Sequence, residues 1–217
     1  DGRQKTLEEV TLGMLEELGA AVRPARYVPN EEALAWAIEQ LKEVQTLELD
    51  MEWFSVGDPQ ATKLAEALRG NSTLKVLKLR YNEIRDSGAS ALAQAVQTHP
   101  ALETLTLGNN IIGSEGSADL AKAAAASKTL RNLDLRYNAI GPHLPDTFMK
   151  LEGLTRLDIS ANRLVSLPPQ LGQLTSLTEL VVERNHHLAP KTLLEISTTP
   201  ELLAAIRSQS LDQAAAS

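Results

Sequence analysis

The sequence of 217 residues predicts an α/β array of stacked repeats, in which short parallel strands alternate with return helices. Three observations carry that expectation. The phrase Leu77-Lys78-Leu79-Arg80-Tyr81-Asn82 returns almost unchanged as Leu133-Asp134-Leu135-Arg136-Tyr137-Asn138, and in looser form at 105–110, 157–162 and 180–185. An aliphatic residue stands three positions before each copy, at Leu74, Leu102, Leu130, Leu154 and Leu177, so the shared frame is Leu-x-x-Leu-x-Leu-x-x-Asn. Segments with apolar residues at helical spacing lie between the first copies. Self-similarity at a fixed period is the mark of units that bury their apolar faces only against one another.

The N-terminal stretch, 1–43, carries no repeat and is predicted to be a helical cap. Leu7, Val10, Met14, Leu15 and Leu18 recur at helical spacing, Gly19 ends that helix, and Pro24 and Pro29 bracket an extended link. Asn30 is a good N-cap with Glu31 and Glu32 at the positive end of the dipole, before a second helix through Leu34, Ala37, Ile38 and Leu41. The first repeat is placed at Val44, with Leu47 and Leu49 in frame and Glu52 at the asparagine position. Met51, Trp53 and Phe54 then cluster in its turn. They are expected to pack under the cap, the alternative being an exposed apolar contact site at that end.

Repeat starts at Val44, Leu74, Leu102, Leu130, Leu154 and Leu177 are spaced by 30, 28, 28, 24 and 23 residues, six units over 44–188. Full return helices fit the first three. Asp58-Pro59 reads as N-cap and N1 proline, and Asp86 and Ser114 open the next two helices. Their alanine-rich faces suit close seating on a sheet. The fourth unit has room for about two turns of helix around Phe148 and Met149. The fifth, with Leu167-Pro168-Pro169, favours an extended or 3₁₀ return. Residues 189–217 read as a C-terminal helical cap and tail, with short helices at 191–196 and 201–206 and fraying beyond 208.

Within each frame the leucines point one way and the residues between them the other. The closing asparagines, Asn82, Asn110, Asn138, Asn162 and Asn185, are expected to form a ladder that satisfies buried turn backbone. This pattern over 44–188 resembles the leucine-rich repeat family. The 28-residue units containing Asp86-Ser87-Gly88-Ala89 resemble the ribonuclease-inhibitor type, and the 23-residue units with Leu167-Pro168-Pro169 the shorter typical type. The resemblance implies a curved solenoid with strands on the concave face, helices on the convex face, and a role in protein recognition.

The net charge of −7 argues against a nucleic-acid surface spread over the molecule. No apolar run is long enough for membrane insertion and no signal peptide is visible. The chain has no cysteine, which excludes thiolate chemistry and favours a cytoplasmic setting. It begins at Asp1 rather than Met, which is compatible with a piece of a longer chain. The sequon Asn71-Ser72-Thr73 is expected to be incidental. His99, His143, His186 and His187 lack metal-binding spacing, no phosphate loop is present, and no carboxylate pair is marked as catalytic. The prediction is therefore no enzyme, no metal and no cofactor.

What remains is the concave surface: the third, fifth and seventh frame positions, with the eighth at the strand end. The seventh column reads Asp50, Arg80, Gly108, Arg136, Ser160 and Glu183. Two Arg-Tyr pairs, Arg80-Tyr81 and Arg136-Tyr137, flank a gap about 10 Å wide at Gly108, since parallel strands lie about 4.8 Å apart. Two guanidinium groups beside a missing side chain could clasp a partner's carboxylate. In the plainer alternative the tyrosines pack on one another and the arginines are solvated, or neutralised by Asp50, Asp134 and Asp158. The predicted contact set is Lys78, Arg80, Tyr81, Gly108, Asn109, Asp134, Arg136 and Tyr137. The predicted function is a monomeric, non-enzymatic module that binds a protein partner on this face. The alternatives are a GTPase-activating protein of this repeat type and the sensing or targeting domain of a larger signalling protein.

Overall fold

The structure, a computed structural model, describes residues 30–43, 45–196 and 198–215. The helix expected over 6–18, the proline link and Val44 lie outside the described residues. Helix α1 (Asn30–Lys42) leads into β1 (Glu48–Asp50), α2 (Asp58–Leu68), β2 (Val76–Lys78), α3 (Asp86–Val96), β3 (Thr104–Thr106), α4 (Ser114–Ala126) and β4 (Asn132–Asp134). From there the returns are single 3₁₀ turns: Asp146–Lys150 before β5 (Arg156–Asp158), Pro169–Gln173 before β6 (Glu179–Val181), and Lys191–Glu195 before α5 (Thr199–Ala215). The strands form one parallel sheet in the order β1-β2-β3-β4-β5-β6.

The core follows from the frame. Leu49, Leu77, Leu105, Leu133, Leu157 and Leu180 stand in register at the strand centres and are buried. Met51, Leu79, Leu107, Leu135, Ile159 and Val182 form a second buried row. Buried Ala61, Ala65, Ala89, Ala93, Ala121 and Ala124 floor the helices, and their small size lets each helix seat close to its neighbours. The fourth return is a five-residue 3₁₀ turn rather than two turns of helix. That unit is four residues shorter than its predecessor, and buried Phe148, flanked by buried Leu144 and Leu151, fills the space behind it.

The first repeat stands two residues later than its text suggests. Glu48 pairs with Val76 and Asp50 with Lys78, so Thr46 occupies the place of Leu74, Met51 that of Leu79, and Phe54 that of Asn82. Met51 and Phe54 are buried while Leu47 is 53% exposed. The Val44, Leu47, Leu49 spacing imitates the frame out of register. The physical reason for Phe54 is positional. The ladder asparagine serves the turn of the preceding repeat, and among the described residues helix α1, not a repeat, precedes this one, so an apolar residue is favoured there.

The asparagine ladder is present. Asn82 Oδ1 accepts the Phe54 and Val56 N–H groups at 3.1 and 2.9 Å, and its Nδ2 donates to the Met51 and Leu79 carbonyls. Asn110, Asn138, Asn162 and Asn185 repeat the arrangement on the turns that precede them. A second ladder runs beneath the repeat starts. Asn71 Oδ1, His99 Nδ1 and Ser127 Oγ each accept two backbone N–H groups two and three residues ahead. Asn71 is buried and its Nδ2 donates to the Leu41 carbonyl at 2.8 Å, which leaves the sequon nitrogen committed to the backbone.

Helix capping differs from the expectation. Asp58 is not the N-cap of α2; Gly57 is. Asp58 Oδ1 instead accepts Arg85 and Gly88 N–H at 2.7 and 3.0 Å, capping α3 in the next repeat, and its Oδ2 accepts from Ser87 Oγ. Asp86 likewise caps α4 through Gly113 and Gly116 N–H, at 2.6 and 3.0 Å. Glycine is required at these N3 positions, since a Cβ on Gly88 or Gly116 would lie 2.6 or 2.7 Å from the capping oxygen. Ser114 continues the series by exchanging hydrogen bonds with Gly141 backbone.

At the far end, α5 continues to Ala215 instead of ending near 206 and fraying. Thr199 Oγ1 accepts the Leu180 N–H at 2.9 Å and so covers part of the open edge of β6. Close approach of α5 to the fifth return requires Gly172, where a Cβ would meet the Leu203 carbonyl at 2.5 Å.

Candidate functional site

The eighth position of every repeat has a positive φ: Trp53 (67°), Tyr81 (57°), Asn109 (56°), Tyr137 (51°), Ala161 (50°) and Arg184 (57°). Left-handed backbone turns the chain sharply as each strand ends, and non-glycine residues adopt it only where the surroundings over-determine it. These six residues make a rim along one margin of the sheet. At its start the Trp53 and Tyr81 rings stack, with centroids 3.8 Å apart and planes 7° from parallel. Further along, the Arg184 guanidinium donates to the Tyr137 hydroxyl and lies 5.9 Å from its ring centroid, spanning the small Ala161 of the intervening repeat. The tyrosines do not pack on one another. Two inter-strand steps, about 10 Å, separate them, with Asn109 between.

The seventh column is Glu52, Arg80, Gly108, Arg136, Ser160 and Glu183, with Glu52 rather than Asp50 at its head because of the shifted first repeat. The opening expected over Gly108 is filled by the chain itself. Arg80 Nε and a terminal nitrogen donate to Asp134 Oδ2 at 2.9 and 2.6 Å, reaching from β2 across β3 to β4. Arg136 Nε stands 3.6 Å from the same oxygen, and Asp134 Oδ1 accepts the Arg136 N–H at 3.0 Å. A Cβ on Gly108 would lie 2.9 Å from Arg136 Cγ and 3.2 Å from Asp134 Oδ1, so the missing side chain is the space the trio uses. Asp134 is the neutralising carboxylate; Asp158 Oδ1 accepts from Ser160 N–H and Oγ, and Asp50 Oδ1 accepts from Glu52 N–H. Lys78 pairs with Glu48, and the hydrogen bond it donates to that carboxylate raises the Lys78 pKa above its ordinary value, against the opposing effect of partial burial.

Between Arg80 and Arg156 the concave face holds a pocket of about 210 Å³ that includes Thr104, Thr106, Asn132 and Asp134. Trp53, Arg184, Thr106 and Arg156 belong to the face but were not in the predicted contact set. Trp53 was within reach of the sequence, standing 28 residues before Tyr81. The Arg184 contact carried no signal, because it joins residues 47 apart through side-chain length alone. Among the described residues, no group of three or more His, Asp or Glu could hold a metal ion, and no helix is long and apolar enough to cross a membrane.

A six-stranded parallel sheet of three-residue strands, sewn by an asparagine ladder and backed by short returns, defines a leucine-rich-repeat solenoid. Family models described as leucine rich repeat match residues 128–186 and 70–93, so the chain carries leucine-rich repeats. Among solved structures it is similar to the actin-binding site 2 of leiomodin-1, at 17% identity over 84% of this chain and 90% of that one, with a TM-score of 0.50. It is also similar to the tropomodulin C-terminal domain of Caenorhabditis elegans, at 15% identity over 82% and 91%, with a TM-score of 0.53. No curated protein matches it.

Proposed function

We propose that the chain is a non-enzymatic protein-interaction module that docks a partner on its concave face, with the left-handed rim as the principal contact. One observation carries the reading: the rim presents large side chains that are both exposed and fixed. Trp53 is 47% and Tyr137 42% exposed, yet each is held by a ring contact and a constrained backbone. Pre-ordered aromatic side chains lose little freedom on binding, and Trp, Tyr and Arg are the residue types that dominate binding energy at interfaces. Within the predicted contact set, Tyr81, Asn109 and Tyr137 supply contact. Arg80, Asp134 and Arg136 over Gly108 hold the shape of the face. Because both arginines are engaged with Asp134, nothing in the geometry favours a role for them in trans on a nucleotide. The lack of cysteine suits a cytoplasmic setting for this module.

The test is affinity capture of partners from cell extract with the wild-type chain and with Tyr137→Ala and Asn109→Ala. Purified actin is one defined candidate to include, since the leiomodin-1 fragment of this fold is an actin-binding site. A captured partner should bind at least about tenfold more weakly to the variants, a loss typical of a contact at an interface centre. Unchanged affinity with an intact circular dichroism spectrum rules out the rim.

A further inference from the structure

Resting on the concave face as the docking surface, we propose that it receives an acidic side chain of the partner in the pocket between Arg80 and Arg156. The gap between Arg80 and Arg136 cannot serve, because the Asp134 carboxylate already lies there, 2.6 Å from Arg80. The neighbouring pocket is different. Its volume of about 210 Å³ admits one side chain rather than a free small molecule, whose sites run to about 300 Å³ and more.

Its lining is rich in donors. Thr106 is only 9% exposed and its hydroxyl has no hydrogen-bond partner among the described residues. Thr104 Oγ1 accepts from Asn132 Nδ2 at 3.1 Å, which leaves its own proton to donate. Asp134 does not compete for these donors or repel a second carboxylate in full. Its Oδ1 accepts the Arg136 N–H, its Oδ2 accepts from Arg80, and its charge is shared by two guanidinium groups. The Asp158 carboxylate, in register with Asp134 on β5, accepts through Oδ1 from Ser160.

Arg156 is the exchangeable arm. It pairs with Glu179 at 2.9 Å, and both side chains are nearly half exposed. An exposed pair of that kind contributes little and is readily replaced by a better-enclosed one. An incoming carboxylate therefore takes Arg156 from Glu179 and meets the threonine hydroxyls on the floor. A negatively charged pair of oxygens gains a charge-assisted contact with Arg156 besides the hydroxyl donors; an uncharged amide forfeits that contact and binds more weakly.

The test titrates the isotope-labelled chain with N-acetyl-glutamate N-methylamide, with the glutamine analogue as control, and follows the backbone amides of Thr104, Thr106 and Asn132 by NMR. The glutamate probe should move these signals saturably and the glutamine probe should bind more weakly. Arg156→Gln should weaken the glutamate probe by about tenfold, the size of one charge-assisted contact. Glu179→Gln, which removes the competing carboxylate, should tighten it, an effect that a purely structural role for Arg156 would not produce. Equal response to both probes, no response, or indifference to both substitutions overturns the pocket. If in that event Tyr137→Ala still weakens capture of a partner, the concave docking reading stands and the acidic anchor alone is lost.

Discussion

Arg80 and Asp134 lie 54 positions apart and are joined by two hydrogen bonds onto a single carboxylate oxygen, across a strand whose facing residue is Gly108. The carboxylate side chain is 8% exposed and the arginine 27%. Asp134→Ala would leave two guanidinium groups without their shared acid, and the expected loss is about 1–3 kcal/mol. A urea unfolding series on Asp134→Ala, Arg80→Ala and the double variant checks it. The double variant should be clearly less damaging than the sum of the single ones. Strict additivity would show that the pair is not energetically coupled.

Gly116→Ala inverts a familiar sign. Alanine inside a helix is ordinarily favoured over glycine by about 1 kcal/mol. Here the new Cβ would lie 2.7 Å from Asp86 Oδ1 and 2.8 Å from Asp86 Cα, and the backbone atom cannot swing aside. The substitution should destabilise by about 1–3 kcal/mol, read as a lower thermal midpoint. A raised midpoint would mean that the Asp86 cap contributes little.

Asn162→Ala removes an acceptor from the Ile140 N–H and donors from the Leu135 and Ile159 carbonyls in a buried turn. The expected cost is about 2–4 kcal/mol. Asn162→Asp should be at least as harmful, because a carboxylate there would face two carbonyl oxygens. Denaturant midpoints of the two variants decide the order.

His99 makes stability depend on pH. Its Nδ1 accepts two N–H groups, which requires a neutral ring, and burial lowers its pKa below the ordinary 6.5. The unfolded chain therefore takes up the proton first. The contribution is intact above about pH 6.5 and is lost progressively as pH falls below that value. His99→Asn places there the acceptor used by Asn71, and should flatten the acid limb of a plot of unfolding free energy against pH. An unchanged acid limb would assign the pH dependence to other groups.

The solenoid was legible because leucine spacing and the closing asparagine are both local text, repeated often enough to fix strand faces. Reading failed where a residue acts outside its own repeat. Asp58 and Asp86 each open their own helix, and nothing in their neighbourhood reveals that their carboxylates serve the following one. Asp134 was weighed as one of three neutralising acids, but only the fold brings it beneath Arg80. The shifted register at Met51 and Phe54 was hidden because the first repeat departs from the frame at the very position that fixes the others.

The two sets of polar links run in opposite directions along the chain. Each asparagine reaches back to the turn before it, while Asp58 and Asp86 reach forward to the helix after them. Cutting the α-helical part of the array between any two repeats thus exposes unsatisfied backbone on both sides of the cut. Truncating this region at a repeat boundary should therefore destabilise it unless the new end is rebuilt, whereas removal of one whole 28-residue repeat would bring Asp58 to Gly116 in place of Gly88 and restore the link.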